Sequence, residues 1–234
     1  MFITFVSTET IRAMKKTLLL LTVLASSIMG RSQEDSSYFE LGLNAIKLTN
    51  FLGIADDAAR QDEWNPYMLT ANYGRNKLAL RCGMGYSSSF RVEEPTPANG
   101  ESTFDTTAKT MDFRVGIGRE FRLSSEWTFR IGLDYFVANR FSSNEAKFKD
   151  HNAVLIENVR EMSHKEKGAS PFLFVQYNFT PRVSCGTELL YRVSAYTMSD
   201  KDTSSGNSTQ IIKQYSGAKR YLMAPSALFI QIRF

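Results

Sequence analysis

Histidine and cysteine are scarce in this sequence of 234 residues, which has two of each. Cys82 and Cys185 are too few for a disulfide framework. Neither cysteine belongs to a Cys-x-x-Cys pair or stands beside a histidine, as a zinc site would require. The histidines, His151 and His164, offer no metal-binding spacing either. We therefore predict neither a metal nor a cofactor.

The chain also lacks a strong excess of charge and a long apolar run. It has 28 Lys and Arg against 24 Asp and Glu, a net charge of +4, and its bases do not gather in one block. A nucleic-acid-binding surface needs such clustering, so no nucleic-acid partner is expected. A transmembrane helix needs about 20 consecutive apolar residues, whereas a membrane strand presents only every second residue to lipid.

The longest apolar segment lies near the N-terminus and resembles an export signal. Lys15 and Lys16 follow Met14, residues 17–29 are mostly apolar, and Gly30 and Ser32 are small. A basic start, a short apolar centre and a small-residue cleavage site are typical of a secretory signal peptide. We interpret residues 1–32 as this signal, with Met14 as the natural start, and residues 33–234 as the mature domain. The alternative, a buried core helix, does not explain the two lysines.

From Tyr38 onward the dominant pattern is alternation of apolar and polar residues, which predicts β-strands. In residues 110–121, for example, Met111, Phe113 and Val115 share one face while Asp112 and Arg114 share the other. Eight segments follow the pattern and approach the length of about 9–11 residues that a tilted membrane strand needs. They are residues 39–45, 67–73, 78–87, 110–121, 127–137, 173–179, 183–194 and 228–234.

The connections between these segments alternate in length. Residues 74–77, 122–126 and 180–182 are short, and the longer connections are residues 50–65, 91–106, 140–168 and 198–216. This arrangement is typical of short periplasmic turns and long extracellular loops. The sequence therefore predicts an all-β fold, a closed antiparallel up-and-down transmembrane β-barrel of about eight strands.

The face opposite the apolar residues carries charges of both signs. Its four acids and five bases are Glu40, Asp112, Asp134, Glu188, Arg81, Arg114, Arg130, Arg192 and Arg233. The interior of an eight-stranded barrel is just wide enough for side chains, and buried charge is tolerated only when it is paired. We therefore predict a salt-bridge network that plugs the lumen, with an ion or proton path as the less favoured interpretation. An open diffusion pore is disfavoured.

The last segment ends on an aromatic residue. Phe234 follows Ile230 and Ile232 on one face, and this ending resembles the assembly signal of bacterial outer-membrane proteins. The pattern over residues 36–234 is similar to the small barrels of the OmpA/OmpX type and to PorT-like outer-membrane barrel proteins. The resemblance implies an outer-membrane location, contact with outer-membrane lipid and lipopolysaccharide, and insertion by the barrel-assembly machinery.

Three other interpretations stay open. Ser163 and His164, with Glu161 or Glu166, suggest a lipid hydrolase such as a lipid A deacylase, but adjacent strand residues point to opposite faces. A soluble secreted barrel would need its apolar face inside. Residues 140–168 retain some alternation, so they could extend two strands and meet an extracellular protein by β-augmentation. We favour a non-enzymatic structural or interaction barrel, without a disulfide because Cys82 and Cys185 fall on opposite sides.

Overall fold

The computed structural model describes residues 37–51, 65–93, 103–149, 155–204, 207–225 and 227–234. Within these ranges the chain forms nine strands and one short helix. They are β1 Ser37–Asn44, α1 Ala45–Phe51, β2 Leu69–Arg75, β3 Leu78–Glu93, β4 Thr103–Arg122, β5 Trp127–Lys149, β6 Leu155–Asn178, β7 Val183–Ser204, β8 Asn207–Met223 and β9 Phe229–Arg233. Residues 1–32 and His151 lie outside the described residues, so the signal peptide stays a prediction.

The strands form one antiparallel sheet that closes into a ring. Strands β1 to β7 pair in chain order, and β9 completes the ring by pairing with β1 on one side and with the start of β7 on the other. Strand β8 pairs with a later part of β7. Thus β8 and β9 are two parts of one descending strand, interrupted around Pro225, which has no N–H to donate. The predicted closed barrel with about eight crossings is confirmed.

One end of the barrel, here the lower end, holds the short turns together with Ser37 and Phe234. Asn76 and Lys77 adopt positive φ angles of 52° and 69°, the conformation of a two-residue type I′ hairpin turn. In the second turn Leu123 N donates to Trp127 O at 3.0 Å. In the third turn, residues 179–182, Phe179 N donates to Val183 O at the same distance of 3.0 Å. All three predicted short connections are present.

Three of the four predicted long connections consist of strand wherever the structure describes them, which corrects the loop assignment. Every described residue of 91–106, 140–168 and 198–216 belongs to a strand, and residues 94–102, 150–154 and 205–206, like most of the connection 50–65, lie outside the described residues. The alternation fades there because both faces of the sheet carry polar residues, so apolar periodicity marks only part of each strand. The suggestion that residues 140–168 extend two strands is correct. Both are already paired, however, β5 with β4 and β6 with β7.

The wall of the barrel is uneven in height. Strands β3 to β8 contain 16–24 residues each, whereas β1, β2 and β9 contain 8, 7 and 5. We call the part of β3 to β8 above the level of β1 and β2 the tall wall. At the top of β1, Asn44 caps α1, because its Oδ1 accepts hydrogen bonds from the N–H groups of Ile46 and Lys47 at 3.1 and 3.3 Å.

The barrel is inside out compared with a water-soluble domain. Arg192, Glu188 and Gln176 are at most 1% exposed, whereas Val115, Leu80 and Leu133 on the outer face are more than half exposed. This distribution is the reverse of the usual one, in which large aliphatic side chains fill the interior and charged ones remain in water. Among the described residues, no helix has the length and hydropathy to cross a membrane.

Candidate functional site in the barrel lumen

The nine charged residues predicted for the interior all point into the lumen, and each has an oppositely charged partner within 4 Å. They form three tiers along the barrel axis. The lower tier contains Glu40, Arg130 and Arg233; the central tier contains Arg81, Arg114, Asp134 and Glu188; the upper tier contains Asp112 and Arg192. The pairs join strands from different parts of the ring, so the side chains cross the lumen.

Glu40 is the centre of the lower tier. Its carboxylate accepts hydrogen bonds from Arg130 Nη2 and Arg233 Nη2, both at 2.5 Å. Arg130 also donates to Gln176 Oε1 at 2.8 Å. Arg130 Nε lies 3.1 Å from Glu120 Oε2. The Glu120 carboxylate also accepts a hydrogen bond from the Tyr38 hydroxyl. The carboxylate of Glu40 is thus fully compensated although it is out of contact with solvent.

The central tier is a square of two arginines and two acids. Arg81 Nη2 lies 2.9 Å from Asp134 Oδ2 and 2.8 Å from Glu188 Oε2. Arg114 Nη1 lies 2.7 Å from Glu188 Oε1 and 3.6 Å from Asp134 Oδ2. Asn65 donates a further hydrogen bond to Glu188. Each charge therefore has two opposite charges within 4 Å, although Asp134 Oδ1 and the Nε atoms of Arg81 and Arg114 have no hydrogen bond among the described residues.

Aromatic rings stack on the guanidinium groups of the two arginines in the central tier. The Arg81 guanidinium carbon lies 3.7 Å from the centre of the Phe172 ring, and that of Arg114 lies 3.9 Å from the Tyr67 ring. Stacking on an aromatic face is favourable for a planar guanidinium. The rings also fill the volume around the charges, which excludes water from the tier.

The upper tier is less completely paired. Arg192 donates to the hydroxyls of Tyr67 at 2.8 Å and Tyr221 at 3.3 Å, and its Nη1 lies 3.8 Å from Asp112 Oδ1. Neither carboxylate oxygen of Asp112 has a hydrogen bond among the described residues. Glu166 instead accepts from Ser194 at 2.6 Å and from Tyr221 at 3.1 Å. The upper tier is therefore held mainly by tyrosine hydroxyls.

Glycines on the lumen face create the space for these large side chains. A Cβ at Gly83 would lie 2.7 Å from Arg114 Nε, and one at Gly116 would lie 2.1 Å from Asp134 Oδ1. The glycines at 118 and 132 instead face the Phe172 ring. The glycines therefore make room for aromatic rings and a carboxylate as well as for arginine.

Several members of the network were missed by sequence reasoning. Glu120 is an even number of positions from Asp112 and Arg114 on β4, so it lies on the same face and could have been found from that pattern. Glu166 lies in a segment whose weak alternation predicts a connection, and the structure places it in β6. Tyr67 alternates in step with Leu69 and Tyr73, which predicts the outer face, but it is 1% exposed and lies in the lumen. The alternation breaks there because Asn65 Oδ1 accepts a hydrogen bond from Tyr67 N ahead of β2.

The residues suggested for lipid hydrolysis are not brought together. Ser163 and His164 are consecutive residues of β6 with opposite orientations, and they pair across to Ser199 and Met198 of β7. The His164 ring instead packs edge-on against Tyr196 at 5.5 Å. No group of His, Cys, Asp or Glu in the described part of the chain has the arrangement of a metal site.

The terminal strand joins the two ends of the sheet. Ile230 and Ile232 are each 48% exposed on the outer face, and Phe234 is 46% exposed. Phe234 N donates to Phe39 O at 2.8 Å, and the two rings lie 6.4 Å apart. Ring closure therefore depends directly on the end of the chain. Whether these residues also act as an assembly signal stays a prediction.

These features define a closed antiparallel β-barrel with an apolar outer face and a charge-paired lumen. No family model and no curated protein matches the chain. Among solved structures, the chain is similar to a major outer membrane protein from Thermus thermophilus, with 13% sequence identity and a TM-score of 0.44. The match covers 85% of this chain and 100% of that chain. Values this low assign no family, so the resemblance to OmpA/OmpX-type and PorT-like barrels stays a prediction.

Proposed function

We propose that this chain is an integral outer-membrane β-barrel protein with a plugged polar lumen, and that its role is structural or interactive rather than enzymatic. The observation that carries the proposal is the combination of an exposed apolar outer face with buried ion pairs inside a closed ring. Water would favour the opposite arrangement. A hydrocarbon solvent favours this one, because all backbone polar groups of a closed barrel pair within the wall.

The apolar outer face has the height of a membrane. On β5 it runs from Trp127 through Ile131 and Leu133 to Val137. Ten residue steps of about 3.4 Å, tilted by about 40°, span about 26 Å, close to the band of about 25 Å in outer-membrane barrels. Aromatic residues stand near both ends of it, with Trp127 and Phe121 at the lower end and Tyr135 just below the upper end. These positions suit the two interfaces of a bilayer.

Orientation follows from the connections. Short turns occupy the periplasmic side in barrels of this kind, so the lower end faces the periplasm and the tall wall faces outward. The predicted signal peptide and the aromatic terminus support export and insertion by the barrel-assembly machinery. An extracellular protein partner would contact the tall wall. Since β5 and β6 are paired on both sides, such a partner would use the wall's surface rather than add a strand to this hairpin.

The first test of the proposal is electrophoretic mobility of the detergent-solubilised mature protein with and without boiling, together with membrane fractionation. We expect a faster-migrating unboiled band in the outer-membrane fraction, because a closed barrel resists the detergent until it is heated. A soluble periplasmic protein with one mobility would overturn the proposal.

The cysteines provide a second test of lipid exposure. Cys82 on β3 and Cys185 on β7 are both free, and Cys82 is exposed on the outer face between Ala71 and Val115. In vesicles, we expect a charged, water-soluble thiol reagent to leave Cys82 unlabelled until the protein is unfolded, because hydrocarbon excludes a charged reagent. Rapid labelling by the charged reagent, measured by mass spectrometry, would place this face in water. The Cys82→Ser variant is the control for specificity.

A further inference from the structure

The outward-facing side chains just above the apolar band include four cations. Lys109 lies on β4, Lys165 and Lys167 on β6, and Arg220 on β8, and all four are exposed. We call these four residues the rim patch. Among the described residues, no acid shares their level on the outer face, because the nearby Asp112 and Glu166 point into the lumen.

The sheet register brings the rim patch into one stretch of the wall. Lys167 is opposite Val137 of β5, at the top of the apolar band, and Lys165 is one outward position higher. Lys109 is two strands away on one side and Arg220 two strands away on the other, separated by uncharged residues of β5 and β7. With about 4.8 Å between strands, the four cations span about 19 Å measured perpendicular to the strands.

The cations of the rim patch differ from those higher on the wall in having no ionic partner. None of the four forms an ion pair with a described residue. Higher on the outer face, Lys147 pairs with Glu145 and Glu157, and Lys201 lies 3.3 Å from Glu161. Glu145 raises the pKa of Lys147, chiefly by accepting its hydrogen bond. A group of unpaired bases therefore lies just above the apolar band, where the headgroups of the outer leaflet would lie.

We propose that the rim patch binds the phosphate groups of lipopolysaccharide in the outer leaflet. This inference rests on the proposed membrane location, and it adds a binding site and a ligand class. Lysine and arginine are attracted to anionic headgroups within a Debye length of the surface, and both donate strong hydrogen bonds to phosphate. The uncharged positions on β5 and β7 leave room for a sugar headgroup between the cations.

The test uses the folded full-length barrel in a zwitterionic detergent, titrated with lipopolysaccharide. The variant Lys165→Gln/Lys167→Gln is compared with Lys147→Gln/Lys201→Gln, which removes the same number of outward-facing charges from paired positions. Binding is measured by thermophoresis at two salt concentrations. We expect at least a tenfold loss of affinity in the rim variant, little change in the control, and weaker binding at higher salt.

Two further arms identify the ligand. Lipopolysaccharide with its lipid A phosphates removed should bind the unmodified barrel as weakly as the rim variant binds the intact lipid, and inorganic phosphate alone should not compete at millimolar concentration. Equal binding by the rim variant and the unmodified barrel would overturn the proposal, as would equal binding of the dephosphorylated lipid. Heat-modifiable mobility of each variant shows that the barrel is intact, so failure of the site is distinguishable from failure of the proposed fold or location.

Discussion

Replacing Glu188 by leucine should lower the free energy of unfolding by about 3–5 kcal/mol, the usual effect of removing one partner from a buried ion pair. Glu188 is 1% exposed and is shared by Arg81 and Arg114. Without Glu188, Asp134 would be the only acid in contact with the two buried guanidinium groups of Arg81 and Arg114. Urea unfolding in lipid vesicles, followed by tryptophan fluorescence and by heat-modifiable mobility, measures the change.

The matched control is Glu161→Leu. Glu161 also pairs with a cation, Lys201, but both side chains are 41% exposed, and exposed pairs contribute about 0–1 kcal/mol. The double variant Glu188→Leu/Arg114→Met should recover much of the loss, because an apolar replacement of a whole buried pair is often neutral. Equal effects of Glu188→Leu and Glu161→Leu would show that the central tier does not carry the stability assigned to it.

Replacing Val115 by arginine should cost about 2–4 kcal/mol, the penalty for a base at the bilayer midplane of an outer-membrane barrel. Val115 is 60% exposed in the middle of the outer face of β4. In a soluble barrel the same substitution of an exposed valine would have almost no effect. The result therefore separates the two environments with one side chain.

The control for Val115→Arg is Thr107→Arg, which lies on the same strand and face but above the rim patch. Its cost should be below about 1 kcal/mol, because the depth-dependent penalty disappears near the interface. Both variants are compared by equilibrium unfolding in the same phosphatidylcholine vesicles. If neither substitution changed the free energy of unfolding, the outer face of β4 would be in water, which would contradict the proposed membrane location.

Sequence periodicity predicted the part of the fold in which the two faces of the sheet differ in polarity. An apolar outer face and a charged lumen give β4 and β7 a strict alternation, so Asp112, Arg114, Glu188 and Arg192 could be assigned to the lumen. Above the band both faces are polar, and the extensions of β5 and β6 left only a weak pattern. The break between β8 and β9 had a signal in Pro225, but the residues before it did not alternate clearly.

The contacts within the site were less predictable than its members. Alternation along each strand shows that Arg81 and Glu188 face inward. It does not show which acid pairs with which base, because the pairing depends on how far the side chains extend across the ring. The roles of Asn65 and Tyr67 depend on a local turn before β2 that interrupts the alternation. The inventory of charges was therefore predictable, whereas their pairing is determined by closure of the ring.

The lumen network has a consequence for folding order. Glu40 and Arg233 are 193 residues apart in the chain, Arg81 and Glu188 are 107 apart, and Arg130 and Glu40 are 90 apart. Contacts of such high sequence separation form late and make folding slow. In the proposed membrane location, a partly assembled sheet would hold these charges unneutralised beside hydrocarbon, and lipid would oppose its entry. Neutralisation of the interior would then couple insertion to completion of the ring and make the transition cooperative.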